Sequence, residues 1–236
     1  MMLYYDFHIH SALSPCGDAD MTPNNIVGMA SIKGLDAIAV SDHNTVGNVR
    51  AAMEVGKELG VTVIPGMEVE TEEAVHILTL YPTIEAAEYA AEEVYKKLPD
   101  VANRPDIFGE QCYMDSEDNI TGYESKLLIS STMMSIEALF DLVKTAGGLY
   151  IPAHVDKHSY SMLSNLGFMP EHLDIKYIEL SKRVASETEY LENKPELKKY
   201  KVFRDSDAHY LGDISERINS FDIDDIYSIF KGGLLT

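Results

Sequence analysis

The 236-residue chain contains no tryptophan and only two cysteines, Cys16 and Cys112. Two thiols do not make a disulfide framework, so stability must come from a buried core, which a chain of this length can supply. The same scarcity leads us to expect a reduced, cytoplasmic protein. Basic residues are also few: 19 Lys and Arg stand against 39 Asp and Glu, a formal charge of −20. That balance argues against a broad basic face, so neither long duplex nucleic acid nor an anionic membrane is an expected partner. No apolar run reaches the length of about 18 residues needed for a membrane-crossing helix. Met1–Asp6 is too short and soon too polar for a secretory signal. No G-x-G-x-x-G follows the first apolar run, which leaves a dinucleotide site without support. Low-complexity tracts and internal repeats are lacking as well.

What is there reads as an ordinary globular domain, with 45% hydrophobic and 25% charged residues. Short apolar runs at Leu3–His8, Asp36–Val40, Val61–Ile64, Ala74–Tyr81, Leu149–Ala153, Ile175–Leu180 and Val202–Asp205 predict strands. Between them lie helical patterns. One is capped by Thr22-Pro23 and stopped at Gly34; others span Val46–Leu59, Ile84–Leu98 and Ser135–Ala146. Shorter ones are expected at Ser159–Leu166, Pro195–Tyr200 and Asp224–Phe230. The alternation breaks from about residue 100 to 131, where Gln111–Met114 and Ile120–Tyr123 flank a turn-rich Asp115–Asn119, the pattern of a β-hairpin insertion. Strands alternating with helices point to a parallel α/β domain spanning residues 1–236. Seven strands in this length favour a (β/α) barrel over an open doubly wound sheet.

Six of the eight histidines fall in predicted strands or at their C-terminal ends: His8, His10, His43, His76, His154 and His209. In a barrel those ends meet at one mouth, so residues far apart in sequence would share a cavity. A lone histidine at such a position is more often structural than a ligand. His8-x-His10 differs, because residues i and i+2 on a strand face the same side, and Asp207-x-His209 repeats the spacing. With Glu68 and Asp18 these residues make nine candidate ligands, too many for the four of a closed structural zinc site. Imidazoles and carboxylates without a cysteine pair suit Zn, Mn or Fe, in two or three divalent ions. Multi-metal sites of this type hydrolyse phosphate esters. His158 and His172 read as structural, Cys16 as a turn or packing residue, and Asp42 as either an orienting acceptor or a turn former.

The motifs Asp6-Phe-His8-Ile-His10-Ser11, Ser41-Asp42-His43-Asn44, Gly66-Met67-Glu68, His76-Ile-Leu78, Pro152-Ala-His154 and Ser206-Asp207-Ala-His209 run in one order through residues 6–209. In this the chain resembles the PHP (polymerase and histidinol phosphatase) superfamily of metal-dependent phosphoesterases. The resemblance implies a distorted (β/α)7 TIM-like barrel and a trinuclear centre. His8, His10, Glu68 and Asp207 would hold one metal. Glu68 would bridge to a second held by His76 and His154, and Asp18, His43 and His209 would hold a third. Asp18 stands farther from His-x-His than is usual in the family, so Asp20 is the alternative ligand. Glu68, Asp207 and His209 are the residues expected to serve the chemistry, an in-line attack by metal-bound hydroxide. The leaving group could take its proton from a metal-bound water, His209 or Asp207.

Lys157, Arg183 and Arg204 are the candidate phosphate clamps, since no arginine lies inside a motif. Three function classes are compatible: a hydrolase of small phosphate esters, a nuclease-like phosphodiesterase of nucleotides or short oligonucleotides, and a non-catalytic metal module akin to polymerase-associated PHP domains. The first is favoured. The ligand set looks complete, and −20 disfavours a long polyanion.

Overall fold

A computed structural model describes residues 2–222. In order, the elements are β1 (Met2–Ile9), α1 (Pro23–Ile32), β2 (Ala37–Val40), α2 (Val49–Leu59), β3 (Thr62–Glu70), β4 (His76–Leu80) and α3 (Ile84–Lys97). Then come α4 (Pro105–Phe108), β5 (Cys112–Met114), β6 (Ile120–Tyr123), α5 (Ile136–Thr145), β7 (Leu149–Pro152) and α6 (Met162–Leu166). Last are β8 (Tyr177–Ser181), α7 (Glu187–Asn193), β9 (Lys201–Asp205) and β10 (Ser220–Asp222), with 3₁₀ turns at Pro195–Leu197 and Leu211–Asp213. The predicted helix at 224–230 lies outside the described residues. Pro195–Tyr200, expected as helix, is only the first 3₁₀ turn. Among the described residues no helix is long and apolar enough to cross a membrane.

The helix ends follow local rules. Thr22 Oγ1 accepts Asn25 N and Pro23 fills the first helical position of α1. Ser135 Oγ accepts Ala138 N at the start of α5. Gly60 closes α2 with φ of 73°, a left-handed conformation that costs glycine little.

The architecture is mixed α/β with a curled main sheet in the order β10-β1-β2-β3-β4-β7, beside two-stranded sheets β8-β9 and β5-β6. The expectation of a parallel sheet needs correction, because β4 runs antiparallel to both β3 and β7. The reason is chain length. Only Thr71–Val75 separates β3 from β4, and a parallel crossover needs about a dozen residues or more. The strand predicted over Val61–Ile64 runs on through Pro65-Gly66 to Glu70, and that pair marks a change of partner. Thr62–Pro65 pair parallel with Ala37–Val40, whereas Gly66–Glu70 pair antiparallel with β4.

Two apolar layers flank the curled sheet. Tyr5, Phe7, Ala39, Ile64, Leu78, Ile151, Tyr177 and Phe203 pack together on one side, and the helices cover the other through Ile26, Val55, Val94 and Leu139. The main sheet and the β8-β9 pair are joined by Val155 N to Glu179 O (2.9 Å) on one flank. On the other, His10 N donates to Ala208 O (2.9 Å) and Ala208 N to His8 O (3.1 Å). The register of β1 against β2 shifts between Asp6 and Ile9. Consequently Tyr5 and Phe7 join the inner layer while Ile9 joins the outer one. A bulge of this kind re-aims side chains. It lets His8 and His10 follow Phe7 without surrendering the aromatic layer beneath them.

Candidate metal centre

The site begins with Glu68 in β3. Its backbone is held on both sides by the segment after β2: Glu68 N donates to Asp42 O (3.1 Å) and Asn44 N donates to Glu68 O (2.9 Å). That pairing sets His43 beside Glu68 as an isolated parallel bridge. His76 opens β4 opposite Glu70, and Ala153 N donates to His76 O (3.0 Å), which brings His154 alongside. The Ala208 bonds to β1 place Asp207 and His209 across from His8 and His10.

The side chains converge on Glu68, which is 1% exposed. Glu68 Oε1 lies 3.3 Å from His8 Nε2, 2.9 Å from His76 Nδ1 and 3.3 Å from His154 Nε2. Glu68 Oε2 lies 3.5 Å from His10 Nε2 and 3.2 Å from His43 Nδ1. Asp207 Oδ1 is 3.5 Å from His8 Nε2 and 3.2 Å from His10 Nε2. The rings of His10 and His209 stack with centroids 4.4 Å apart. His154 and Asp207 both hold left-handed backbone, with φ of 31° and 52°, and Asn44 beside His43 does likewise at 55°. Such conformations cost non-glycine residues about 1–3 kcal/mol and collect where geometry serves function.

The carboxylates and imidazoles reset one another's proton affinity. Burial alone would raise Glu68, but His76, His8 and His43 hold its carboxyl well below the usual range. Asp207 behaves the same way: burial opposes ionisation, and His8 and His10 overcome it. Burial would lower His8, yet Glu179, Glu68 and Asp207 lift it well above an ordinary histidine. Against its own burial, His76 is pushed up to about 9, chiefly by Glu68. His43 is driven well down by burial, and His209 is lowered by burial and His10.

The donor set fits divalent cations. His8 Nε2, His10 Nε2, His43 Nδ1, His76 Nε2 and His154 Nδ1 are buried ring nitrogens without hydrogen-bond partners. Orphaned buried polar atoms are costly and rare in folded proteins, and a cation is the partner that imidazole and carboxylate donors share. Ligand atoms within 4.8 Å of one another form three groups: His8, His10 and Asp207; His43, Glu68 and His76; and His10, Cys16, His43 and His209.

Eight of the nine ligand candidates read from the sequence are therefore brought together, with His154 joined through Glu68. Asp18 is not among them. Its Oδ1 accepts Asp20 N at 3.0 Å, a local turn bond, and Asp20 is exposed. Lys157 Nζ pairs with Asp207 Oδ2. Lys157 also lines a cavity of ≈ 580 Å³ together with His158, Arg183, Tyr190 and Lys194. Arg204 points elsewhere: its Nη2 donates to Val184 O (2.5 Å) and Ser181 O (3.5 Å), bracing the turn after β8.

Several contributors escaped the sequence reading. Glu179 in β8 is fully buried and lies 2.9 Å from His8 Nδ1, where it fixes that ring. Its signal was an acid inside the apolar run Tyr177–Leu180. Asp42, read as either an orienting acceptor or a turn former, acts as an orienting acceptor through Ser14 and touches no histidine itself. It accepts Ser11 N (2.7 Å), Ser11 Oγ (2.6 Å) and Ser14 Oγ (2.6 Å), and Ser14 Oγ in turn meets His10 Nδ1 at 3.1 Å. Glu70 is 6% exposed and reaches His76 Nε2 at 3.5 Å.

The comparisons with known proteins agree with this geometry. The chain is 33% identical over 79 residues to a 5'-3' exoribonuclease of Haemophilus influenzae, covering 32% of this chain and 28% of that protein. It is 36% identical over 80 residues to a phosphoribosyl 1,2-cyclic phosphate 1,2-diphosphodiesterase of Eggerthella lenta, covering 32% of this chain and 29% of that protein. These alignments thus span less than a third of either relative. Among solved structures, one from Bifidobacterium adolescentis, provisionally described as a metal-dependent phosphoesterase, superposes with a TM-score of 0.66 at 20% identity. That superposition covers 98% of this chain and 96% of the other. Endonuclease Q in complex with a 27-mer duplex superposes at 0.64 and 18% identity, covering 89% of this chain and 50% of that one. The expectation that a long duplex is excluded therefore finds no support, since a protein of the same fold holds one. The family profile of the PHP domain matches residues 6–192, about four-fifths of the sequence, and the chain belongs to the PHP domain family.

Proposed function

We propose that the chain is a metal-dependent phosphoesterase that hydrolyses a small phosphate ester. The observation that carries this reading is one buried carboxylate, Glu68, within 3.5 Å of the imidazoles of His8, His10, His43, His76 and His154. A structural zinc site needs four ligands and closes on itself. This cluster offers more than four, and Lys157 connects it to an open cavity. The strands β1, β2, β3, β4, β7, β8 and β9 serve as the staves of a distorted (β/α)7 barrel in one domain. Residues of about 100–131, carrying the β5-β6 pair, are an insertion into it.

Two or three divalent ions of Zn, Mn or Fe fit these donors. His8, His10, Glu68 and Asp207 would hold one, and Glu68, His76 and His154 another. When bound, such ions supply Lewis acidity and bring the pKa of an attacking water towards neutrality. The remaining work falls to the side chains. Glu68 and Asp207 stay ionised because the surrounding imidazoles favour their charged forms. Lys157 keeps its charge too: burial opposes it, but Asp207 prevails. From its position its ammonium can take a non-bridging phosphate oxygen, with Arg183 as the next cation along the cavity. His209 Nδ1 lies 2.9 Å from Asp207 O, and a carbonyl only accepts, so Nδ1 carries the proton. Its Nε2 is therefore the nitrogen left to face a cation, and burial with His10 holds the ring below an ordinary histidine. Three divalent ions would outweigh the four carboxylates Glu68, Glu70, Glu179 and Asp207, and the mouth would then be locally positive within a chain of −20. That suits a small phosphate.

A second reading, a phosphodiesterase of short oligonucleotides or nucleotides, is favoured by the cavity itself. At ≈ 580 Å³, lined by Lys157, Arg183 and Lys194 and also by Asp156 and Glu189, it has room for more than one phosphoryl group. The test is to strip the protein with chelator, restore each ion, and assay monoester and diester panels. Turnover that needs the ion and prefers monoesters supports the first reading, and a preference for diesters moves the assignment to the second. Metal-loaded protein inert on both panels would sink the enzyme reading and leave a non-catalytic metal module.

A further inference from the structure

Cys16 is exposed and sits on the loop between β1 and α1, a position without an obvious structural duty. Yet the loop that carries it is folded tightly. Ser14 N donates to Ser11 O (3.1 Å), Gly17 N to Ser14 O (2.9 Å) and Asp18 N to His209 O (2.9 Å). Asp42 pins Ser11 and Ser14 from below. A Cβ on Gly17 would stand 2.3 Å from Ser11 O, so only glycine permits the chain to double back there. The fold brings the thiol to a set of imidazoles: one ligand atom each from His10, Cys16, His43 and His209 lies within 4.8 Å of the others. Two of these rings are almost wholly buried, His10 at 0% and His43 at 6% exposure. Each also holds a ring nitrogen with no hydrogen-bond partner. In His10 that atom is Nε2, since Nδ1 already meets Ser14.

We propose that Cys16 supplies a thiolate ligand to a third cation position, together with His43 and His209. It takes the place that the sequence pattern alone would give to Asp18. The inference rests on the metal-centre reading above and makes it more specific. A thiolate is softer than any carboxylate, so this position selects zinc or ferrous iron over manganese, while the Glu68-centred positions remain nitrogen and oxygen sites.

The test uses cobalt(II) as the probe. The full chain is stripped with chelator, reloaded with cobalt, and followed by absorption spectroscopy and metal counting. A thiolate-to-cobalt charge-transfer band in the near ultraviolet is expected in the unaltered chain. It should persist in Cys112→Ser and vanish in Cys16→Ser, with one cobalt fewer per chain. In parallel, zinc should slow iodoacetamide labelling of Cys16 by at least about tenfold. Cobalt bound through visible d–d bands with no charge-transfer band in the unaltered chain would overturn the Cys16 assignment and leave the Glu68 centre standing. No cobalt bound at all would overturn both. An equal labelling rate with and without zinc would also count against Cys16.

Discussion

Glu179→Gln separates the metal centre from the fold more cleanly than removal of a ligand. Glu179 is fully buried and touches none of the open ligand atoms. It fixes His8 through Nδ1 at 2.9 Å, which leaves Nε2 as the nitrogen facing Glu68 and Asp207. Buried acceptors of this kind typically contribute 10–100-fold in metal affinity. At about 1.4 kcal/mol per tenfold, the loss is roughly 1.4–2.8 kcal/mol. Metal binding stabilises the folded chain by RT ln(1 + [L]/Kd), so at saturating ion the same quantity disappears from the metal-induced stabilisation. For a chain of this size about 1 kcal/mol moves Tm by 2–4 °C, which makes the metal-induced rise smaller by roughly 3–11 °C.

The metal-free protein should respond far less, because two effects oppose. The variant loses the charge-assisted bond to His8. It also relieves Asp205, which burial first and Glu179 second push well above the usual carboxylate range. A carboxyl raised in the folded state contributes stability below its ordinary pKa and loses it as pH rises through the raised value. Removing the charge at Glu179 lowers that value, so less is lost at pH 7. The assay is a competitive chelator titration alongside thermal unfolding with and without chelator. A folded Glu179→Gln protein with unchanged zinc or manganese affinity would refute the reasoning.

Four further outcomes follow from the same geometry. The chelator-treated protein should lose stability as pH rises from 6.5 through about 9, because His76 is raised to about 9 in the fold, and His76→Gln should flatten that slope in urea titrations. Lys157→Ala should weaken kcat/KM for the preferred ester by about 10–100-fold, the effect of one charged hydrogen bond, with metal content unchanged. Arg204→Ala should cost about 1–3 kcal/mol in chemical denaturation and leave KM within about twofold, since its guanidinium bonds Val184 O and Ser181 O rather than the cavity. A raised KM would return Arg204 to the phosphate clamps. Phe7→Ala should cost about 3–5 kcal/mol, because the ring is fully buried against Tyr5 at 4.7 Å and Phe203 at 5.6 Å.

Much of the site was legible before any coordinates. His8-x-His10 and Asp207-x-His209 announced themselves by spacing, and His43, His76 and His154 by lying in or at the ends of apolar runs. What was hidden depends on where the backbone turns. Cys16 and Asp18 are two residues apart in one loop, and only the doubling-back at Gly17 decides which reaches the histidines. Glu179 is invisible as a partner because its target, His8, is 171 residues away. Arg204 looked like a clamp at a strand end, but alternation along β9 sends its side chain to the turn after β8. In the fold, the seven central strands were found, but the edge strand β10 and the direction of β4 were not. Pro65-Gly66 resembled a terminator, and a hairpin with a five-residue connection was read as two elements of a parallel sheet.

That hairpin also bears on how the site is born. Across β3 and β4, joined by the short Thr71–Val75 turn, His76 pairs with Glu70 and reaches diagonally to Glu68, Nδ1 to Oε1 at 2.9 Å. Closing such a loop is fast, on a scale of tens of nanoseconds to microseconds for local contacts. His8, Asp207 and His209 must instead be gathered across nearly the whole chain, an entropically slow step. The carboxylate and its nearest imidazole thus form the part of the centre with the lowest loop-closure cost, and the far ligands the part with the highest, so the centre divides into a locally encoded half and one that only the closed fold can supply.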